Sequence, residues 1–538
     1  MGLSRLARTT ALGALAVSVS VAGATPAALT AAGAPRGDLA TSATPAALRL
    51  AVRAVGGAED LRDLRGLRYV ARGQRWIHDE GVRPGTAAVP ADTFRAVVRQ
   101  ALRTPTAPMR LRVDSVRNSR GTAREVHEVI SGRRGYIRGV DANGSTPATK
   151  AMTSDRWAAI RMQQTLLSPH LLLRQALRNP AMASGGGTQT LGGQTYRVLV
   201  LRSRVAPVRV FVDPRTGRIA RLRTLQHDYL RRDVMVEVRY ARWTRAGSGL
   251  RMPRAVAIWS DGERIHRETR TAVAADPTLR ARAFRIPASV GPTPFSPGLA
   301  RVGARTSEWV MSFAHLGFIK DGGQQAINPQ RVSPGVILLG GVANNSLVVR
   351  RGSGVVVLEG ALHDLRAEAV RRFVRQRFPG LRVTHVVTTH HHADHSGGMR
   401  PYVATGARAV VHQAAVPFFR RVFAERDTTL LPDRLDRTER RARITAVPAE
   451  GELVLDDPLR QVEVYPIQTT HAVDMTVTFV REGGVVFVSD IYTPGAPPGE
   501  GGQALNDLIV AEGLDVEWVA GGHGGVISYA DFLADLNG

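Results

Sequence analysis

Cysteine is absent from all 538 residues. Disulfides, thiolate metal ligands, a cysteine nucleophile and a lipid-bearing N-terminal cysteine are therefore excluded. Lysine is nearly absent too, with Lys150 and Lys320 alone among 72 basic side chains. The cationic character is arginine. No later segment is apolar over the roughly 20 residues that a membrane helix needs, so an integral membrane protein is not expected. Hydrophobic residues nonetheless make up 43% of the chain, which provides for a sizeable core and excludes a mostly disordered protein. At about 150 residues per domain, the length allows two large domains or three to four small ones.

The charge divides sharply along the chain. Residues 1–300 hold 48 basic and 20 acidic side chains, whereas residues 301–538 hold 24 and 26. Such a split predicts two domains with different surfaces. The start reads as an export signal over 1–24: Arg5 and Arg8 form a positive stretch, residues 11–21 are apolar, and Ala22-Gly23-Ala24 is a small-residue cleavage site. Localisation is accordingly expected to be extracytoplasmic, secreted or periplasmic. A flexible lead-in rich in Ala, Thr, Pro and Gly covers 25–45. Prolines 287, 292, 294 and 297 mark a second break. The expected organisation is a basic β-rich domain over 46–290, a linker over 291–325 and a second domain over 326–538.

Within 46–290, residues 196–201, 208–212, 219–225 and 234–240 are strand-length runs of Val, Leu, Ile and Tyr. Asp213-Pro214-Arg215-Thr216-Gly217 between two of them has hairpin-turn chemistry. Residues 162–177 carry leucines at helical spacing and predict one helix. In strand order and length this half resembles the curved sheets of periplasmic lipoprotein-carrier domains. It offers no phosphate loop, metal cluster or catalytic spacing. Beyond 326, apolar strands at 335–341, 345–350, 355–359 and 381–389 alternate with an amphipathic helix over 361–378 that stops at Pro379-Gly380, which argues for an α/β layered domain.

The informative segment is Thr389-His390-His391-His392-Ala393-Asp394-His395-Ser396-Gly397-Gly398, where an apolar strand gives way to a loop. Side chains alternate along an extended chain, so His390 and His392 point the same way. Asp394 and His395 follow as the chain turns, and the whole can serve two adjacent metal ions. His471, Asp490 and His523 each follow another apolar strand, His523 within Gly521-Gly522-His523-Gly524-Gly525. His385, His391 and His412 lie near enough to orient ligands from behind.

These residues resemble the metallo-β-lactamase superfamily, marked by T-H-x-H-x-D-H and a later His, Asp and His, over roughly 330–538. The resemblance implies an αβ/βα sandwich with metals at one edge. It also implies two zinc ions: one on His390, His392 and His471, the other on Asp394, His395 and His523, with Asp490 bridging. The bridging Asp is similar to the glyoxalase II and lactonase-like branches.

Two such ions share a water, stabilise it as hydroxide near neutral pH and polarise a scissile carbonyl or phosphoryl oxygen. The expected function is hydrolysis of an ester, thioester, lactone or lactam-type bond in a small molecule. Asp394 would orient the hydroxide or carry its proton, and Tyr492 would donate a hydrogen bond to the substrate. Two alternatives stand beside it. One is a mononuclear iron oxygenase like the persulfide dioxygenases, with His390, His471 and Asp490 as ligands. The other is a module that binds anionic polymers or lipids through the arginine-rich half, with the metal domain accessory. Nucleic acid is not expected as a partner.

Overall fold

The computed structural model describes residues 45–537 apart from 103–108, 120, 140–147, 248, 293, 307–325 and 342–343. The segments read as export signal and lead-in lie outside the described residues, save for Pro45. Among those described, no helix is long and apolar enough to cross a membrane.

Thirteen antiparallel strands between Gly66 and Ala275 form one sheet. Strands pair with their neighbours in sequence except the sixth and seventh, Ala148–Ala151 and Ala183–Leu191, which form the two edges, and the first, Gly66–Ile77, pairs with the last, Glu263–Ala275, in the middle of the sheet. The turn at 213–217 forms as its composition predicts. The Asp213 carboxylate accepts from the amides of Arg215 (2.8 Å) and Thr216 (3.3 Å), and Gly217 takes the left-handed conformation. One face of the sheet is covered by the N-terminal helix Ala46–Val55 and by two further helices, Ser154–Leu167 and Pro169–Arg178. The single helix expected over 162–177 is thus two. Pro169 supplies no amide and restricts the preceding residue, and Ser168 takes φ −125° and ψ 84°.

Part of the span read as linker is structured. Helix Pro297–Arg305 is capped by Ser296, whose hydroxyl accepts from the Leu299 amide at 3.3 Å. A Cβ on Gly303 would fall 1.9 Å from the Asp155 carbonyl oxygen, so the small residue lets this helix lie close on Ser154–Leu167.

The rest of the chain is a sandwich. A seven-stranded sheet runs from Asn328–Ser333 to Arg443–Val447, and a six-stranded sheet from Leu453–Leu455 to Val526–Ser528. Alternating residues explain the layers. Val336, Leu338, Val356 and Leu358 face the second sheet, while Ile337, Leu339, Val355 and Val357 pack under helices Asp364–Arg377 and Val416–Ala424. Strands buried on both faces read as unbroken apolar runs. Helices Gly499–Ala511 and Tyr529–Asn537 cover the other outer face. The C-terminal part is an αβ/βα sandwich behind a β-rich part of mixed α/β content.

The two parts meet through charge. Arg232, at φ 66° and fully buried, starts the strand Arg232–Arg245 and extends into the sandwich. It donates to Asp364 (3.2 Å), the Leu431 carbonyl (3.0 Å) and Thr428 (3.3 Å), and lies within 3.6 Å of Asp433 and Asp436. Arg400 neutralises the same aspartates from the other side, at 2.6 and 2.8 Å. A guanidinium with five fixed donors suits such a site, where a point charge would not.

Two outcomes follow from these burials. Arg232→Met leaves buried carboxylates short of a partner, and denaturant unfolding should show a loss of about 3–5 kcal/mol. His170 is also buried, and its Nε2–H donates to the Arg251 carbonyl at 2.6 Å. Burial, with Arg270 nearby, pulls its pKa down to about 4. The unfolded chain binds this proton near pH 6.5 and the folded one only near 4, so its contribution is complete above 6.5 and is lost as pH falls toward 4. His170→Gln should abolish about 3 kcal/mol of that acid sensitivity in unfolding measured from pH 7 to 4.

Candidate metal centre

Four strands deliver the polar residues to one rim. Val383–Val387 of the seven-stranded sheet leads to His390–His395, while Val462–Pro466, Val485–Val488 and Trp518–Gly521 of the other sheet lead to His471, Asp490 and His523. The loops must approach closely, and glycine permits it. A Cβ on Gly522 would lie 2.3 Å from the Ser489 hydroxyl, and one on Gly397 2.2 Å from the Leu362 carbonyl oxygen. Asp490 itself is held at φ 60°, a strained conformation for a residue with a Cβ.

All seven residues singled out as ligands come together, in two groups. In the first, His471 Nε2 lies 3.2 Å from His390 Nε2, 3.1 Å from His392 Nδ1 and 3.2 Å from Asp490 Oδ2. In the second, Asp394 Oδ2 lies 3.4 Å from His395 Nε2 and 3.8 Å from His523 Nε2. Asp490 Oδ1 stands 3.0 Å from each of those two histidines. Its two oxygens are therefore divided between the groups.

The bonds behind the rings fix what they present. Thr389 gives its hydroxyl proton to Glu359 at 2.5 Å and so accepts from His390 Nδ1–H at 3.0 Å. His392 gives its Nε2–H to the Gly81 carbonyl at 3.1 Å. Both rings thus turn a bare nitrogen toward His471, and a single proton on His471 Nε2 cannot serve both of them and Asp490, whereas a cation can. Charge agrees. Burial, then the neighbouring imidazoles, hold His390 well below the usual range and bring His392 down to about 4. Burial would raise Asp490, but His395 and the hydrogen bonds from His395, His471 and His523 prevail and hold it well below the usual carboxylate range. Burial would likewise lower His395, yet Asp394, Asp490 and Glu359 raise it well above. The site calls for positive charge between those carboxylates, and an N/O donor set of this kind fits a divalent metal.

Other residues differ from expectation. Tyr492 does not serve the cluster: its ring packs edge-on to Phe532 and its hydroxyl donates to Asp535 at 3.3 Å. That is the packing of a loop tyrosine onto the last helix. His391, on the opposite side of the extended segment from its two neighbours, meets Asp474 at 2.8 Å. His385 and His412 bond locally, to Thr384 Oγ1 (3.1 Å) and the Ala414 amide (3.2 Å). Glu359, Asn344 and Glu80 were not foreseen. Glu359 is a lone acid ending a wholly apolar strand, a signal that could have been read. It is fully buried and lies 3.4 Å from His395 Nδ1. Asn344 donates to Asp394 at 3.0 Å. Glu80 comes from the N-terminal sheet, 3.5 Å from His392 Nδ1, and nothing local announces it.

Residues 339–523 match the sequence model of the metallo-beta-lactamase superfamily. The C-terminal sandwich is a metallo-β-lactamase-superfamily domain. Among solved structures, the domain is similar to the metallo-β-lactamase FIM-1 from Pseudomonas aeruginosa in its mono-zinc form (15% identity, 39% of this chain and 93% of that one, TM-score 0.31). It is also similar to a metallo-β-lactamase from Pontibacter korlensis (17%, 39% and 98%, TM-score 0.31). A third is the stereoselective inverting sec-alkylsulfatase Pisa1 from Pseudomonas sp. (14%, 39% and 42%, TM-score 0.29). No curated protein matches the chain. The superfamily holds mostly hydrolases, which supports an enzyme.

Proposed function

We propose that this protein is an exported hydrolase that cleaves an ester, thioester, lactone or lactam-type bond of a small molecule at a dizinc centre. The observation that carries the reading is the division of the Asp490 carboxylate, Oδ2 toward His471 and Oδ1 toward His395 and His523. His390, His392 and His471 would hold one ion, Asp394, His395 and His523 the other, with Asp490 between them. Bound there, the ions supply an activated water near neutral pH and polarise the scissile carbonyl. The protein's own part is orientation and proton movement. Glu359 and Thr389 keep the nitrogens aimed, Asn344 steadies Asp394, and Asp394 takes the water's proton and hands it to the leaving group.

A second role for the basic half draws on a specific surface. Arg72, Arg239, Arg242, Arg264 and Arg267 are all exposed and gather around Trp259 on one face of the thirteen-stranded sheet. Arg239 lies 3.8 Å over the Trp259 ring and Arg264 4.6 Å over Trp76. Pre-ordered guanidinium groups of this kind suit phosphate or carboxylate on an anionic surface.

Two measurements test these readings. Purified protein should carry two zinc ions per chain, lose hydrolysis to a chelator and regain it with zinc. His392→Ala should cut turnover by orders of magnitude, and His523→Ala should keep one ion and lose the other. One iron per chain with oxygen uptake on a persulfide would overturn the hydrolase reading. For the surface, full-length protein should bind anionic vesicles at 50 mM salt (a test condition) and release as screening rises, and a variant with Arg239, Arg242, Arg264 and Arg267 changed to Ser should not bind. Absence of salt-sensitive binding would remove the surface role.

A further inference from the structure

Beneath helix Ser154–Leu167, the inner face of the thirteen-stranded sheet encloses a cavity of about 60 Å³. Register explains the hollow. Ala71, Ala96 and Ser115 stand side by side on three adjacent strands, and none reaches far from the backbone. In the next row Phe94 stands opposite Gly73, where a Cβ would fall 2.6 Å from its ring. The ring therefore lies over the glycine and stacks on His266, centroid to centroid at 5.2 Å, instead of filling the space. The volume is several times the roughly 10–15 Å³ that admits one water.

Positive charge collects around it. Arg75 Nε donates to Asp92 at 2.8 Å and Arg156 Nε to Glu128 at 3.0 Å, while Arg117 Nη2 lies 3.9 Å from the second Glu128 oxygen. Three guanidinium groups thus share two carboxylates. Glu268, which also lines the cavity, is already matched by Arg270 at 2.7 Å and His266 at 3.3 Å, so it leaves the excess in place. The side chains of Arg75 and Arg117 are only 8% and 10% exposed. Burial, then the neighbouring Arg75, pull Arg117 down to about 10, as expected of a cation held among cations.

The helix adds donors that are not spent. Gln164 lines the cavity and is buried. Its Oε1 accepts from the Tyr69 hydroxyl at 2.9 Å and from Gln100 Nε2 at 3.3 Å. That fixes the amide, and its Nε2 is left with no acceptor among the described residues. The other walls are aliphatic: Val98, Val113, Ile160 and Leu167. Guanidinium and amide donors beside apolar walls suit a small amphiphilic anion. A carboxylate brings the single negative charge that balances the set, whereas a doubly charged phosphate would overshoot it and meet hydrocarbon on its remaining sides.

We propose that this cavity binds a short aliphatic monocarboxylate, its carboxylate held by Arg117 and Gln164 and its carbons lying against Val98, Val113, Ile160 and Leu167. The site belongs wholly to the β-rich domain and does not rest on the hydrolase reading.

The test is equilibrium dialysis of the full-length protein against labelled propionate at fixed ionic strength, with unlabelled propionate or inorganic phosphate as competitor. A carboxylate can also settle on a metal ion, so two variants remote from the metal ligands in sequence are compared with wild type. Arg117→Met removes a donor yet leaves Arg75 and Arg156 to neutralise Asp92 and Glu128. Ala96→Leu fills the hollow and keeps every charge. Each variant is checked by thermal unfolding and metal content, which should match wild type, and each should bind propionate about 10–100-fold more weakly. Wild type that binds no propionate, or a folded variant that binds it as wild type does, would overturn the site and leave the hydrolase reading in place. Phosphate that competes as well as unlabelled propionate would overturn the carboxylate assignment. Should Ala96→Leu fail to fold, Arg117→Met decides by the same measurement.

Discussion

Three imidazole nitrogens and a carboxylate oxygen converge on one point, with His471 Nε2 within 3.2 Å of each of the other three atoms. Lone pairs so placed repel, and one proton on His471 Nε2 cannot serve all three partners, because His390 and His392 each spend their own proton on the far side of the ring. Much of the surrounding structure serves to impose this convergence. Glu359 sits fully buried behind two ligands through Thr389 and His395, Asp490 is bent to φ 60°, and the glycine-flanked loops close to distances that a Cβ would forbid. Buried polar groups of this kind are tolerated only as a complete network.

Rigidity comes from the sandwich beneath. Each of the seven residues follows a short, mostly buried strand, so the backbone at the rim inherits the positional precision of a close-packed core. Sites on loops are ordinarily softer than those on strands. Here the loops are short, and their carbonyls and amides bond to one another: Asn345 ties Gly521 and Gly524 at 2.9 Å each, and the Thr476 amide donates to the Thr389 carbonyl at 2.8 Å.

The β-rich half is joined to this machinery at two places of opposite character. Arg232 brings a cation into an acidic pocket of the sandwich, and loop 78–88 brings a carboxylate beside His392. Arg231, next to Arg232, braces the loop through Asp79, so the two attachments are mechanically linked. A domain surface that is arginine-rich overall thus presents an acid, Glu80, beside the histidine cluster.

The sequence by itself determined the sandwich and the seven polar residues that gather at its rim. The reason is local: unbroken apolar runs of four to five residues mark doubly buried strands, and a period-2 segment places His390 and His392 together without reference to the rest of the chain. Turn chemistry at Asp213–Gly217 was legible for the same reason. The helix break at Ser168 was carried by Pro169 but masked by the leucine periodicity on both sides. What only the tertiary structure decided is every contact made across large separations. Tyr492 turned to Asp535 because the final helix packs over it. Glu80 and Gly81 reach residues 313 and 311 positions away, and Arg232 reaches 196 to 199 positions along to Thr428 and Leu431. An acid followed by glycine in a loop has no periodicity and no spacing to a partner. Its meaning arises only when thirteen strands have set where the loop ends.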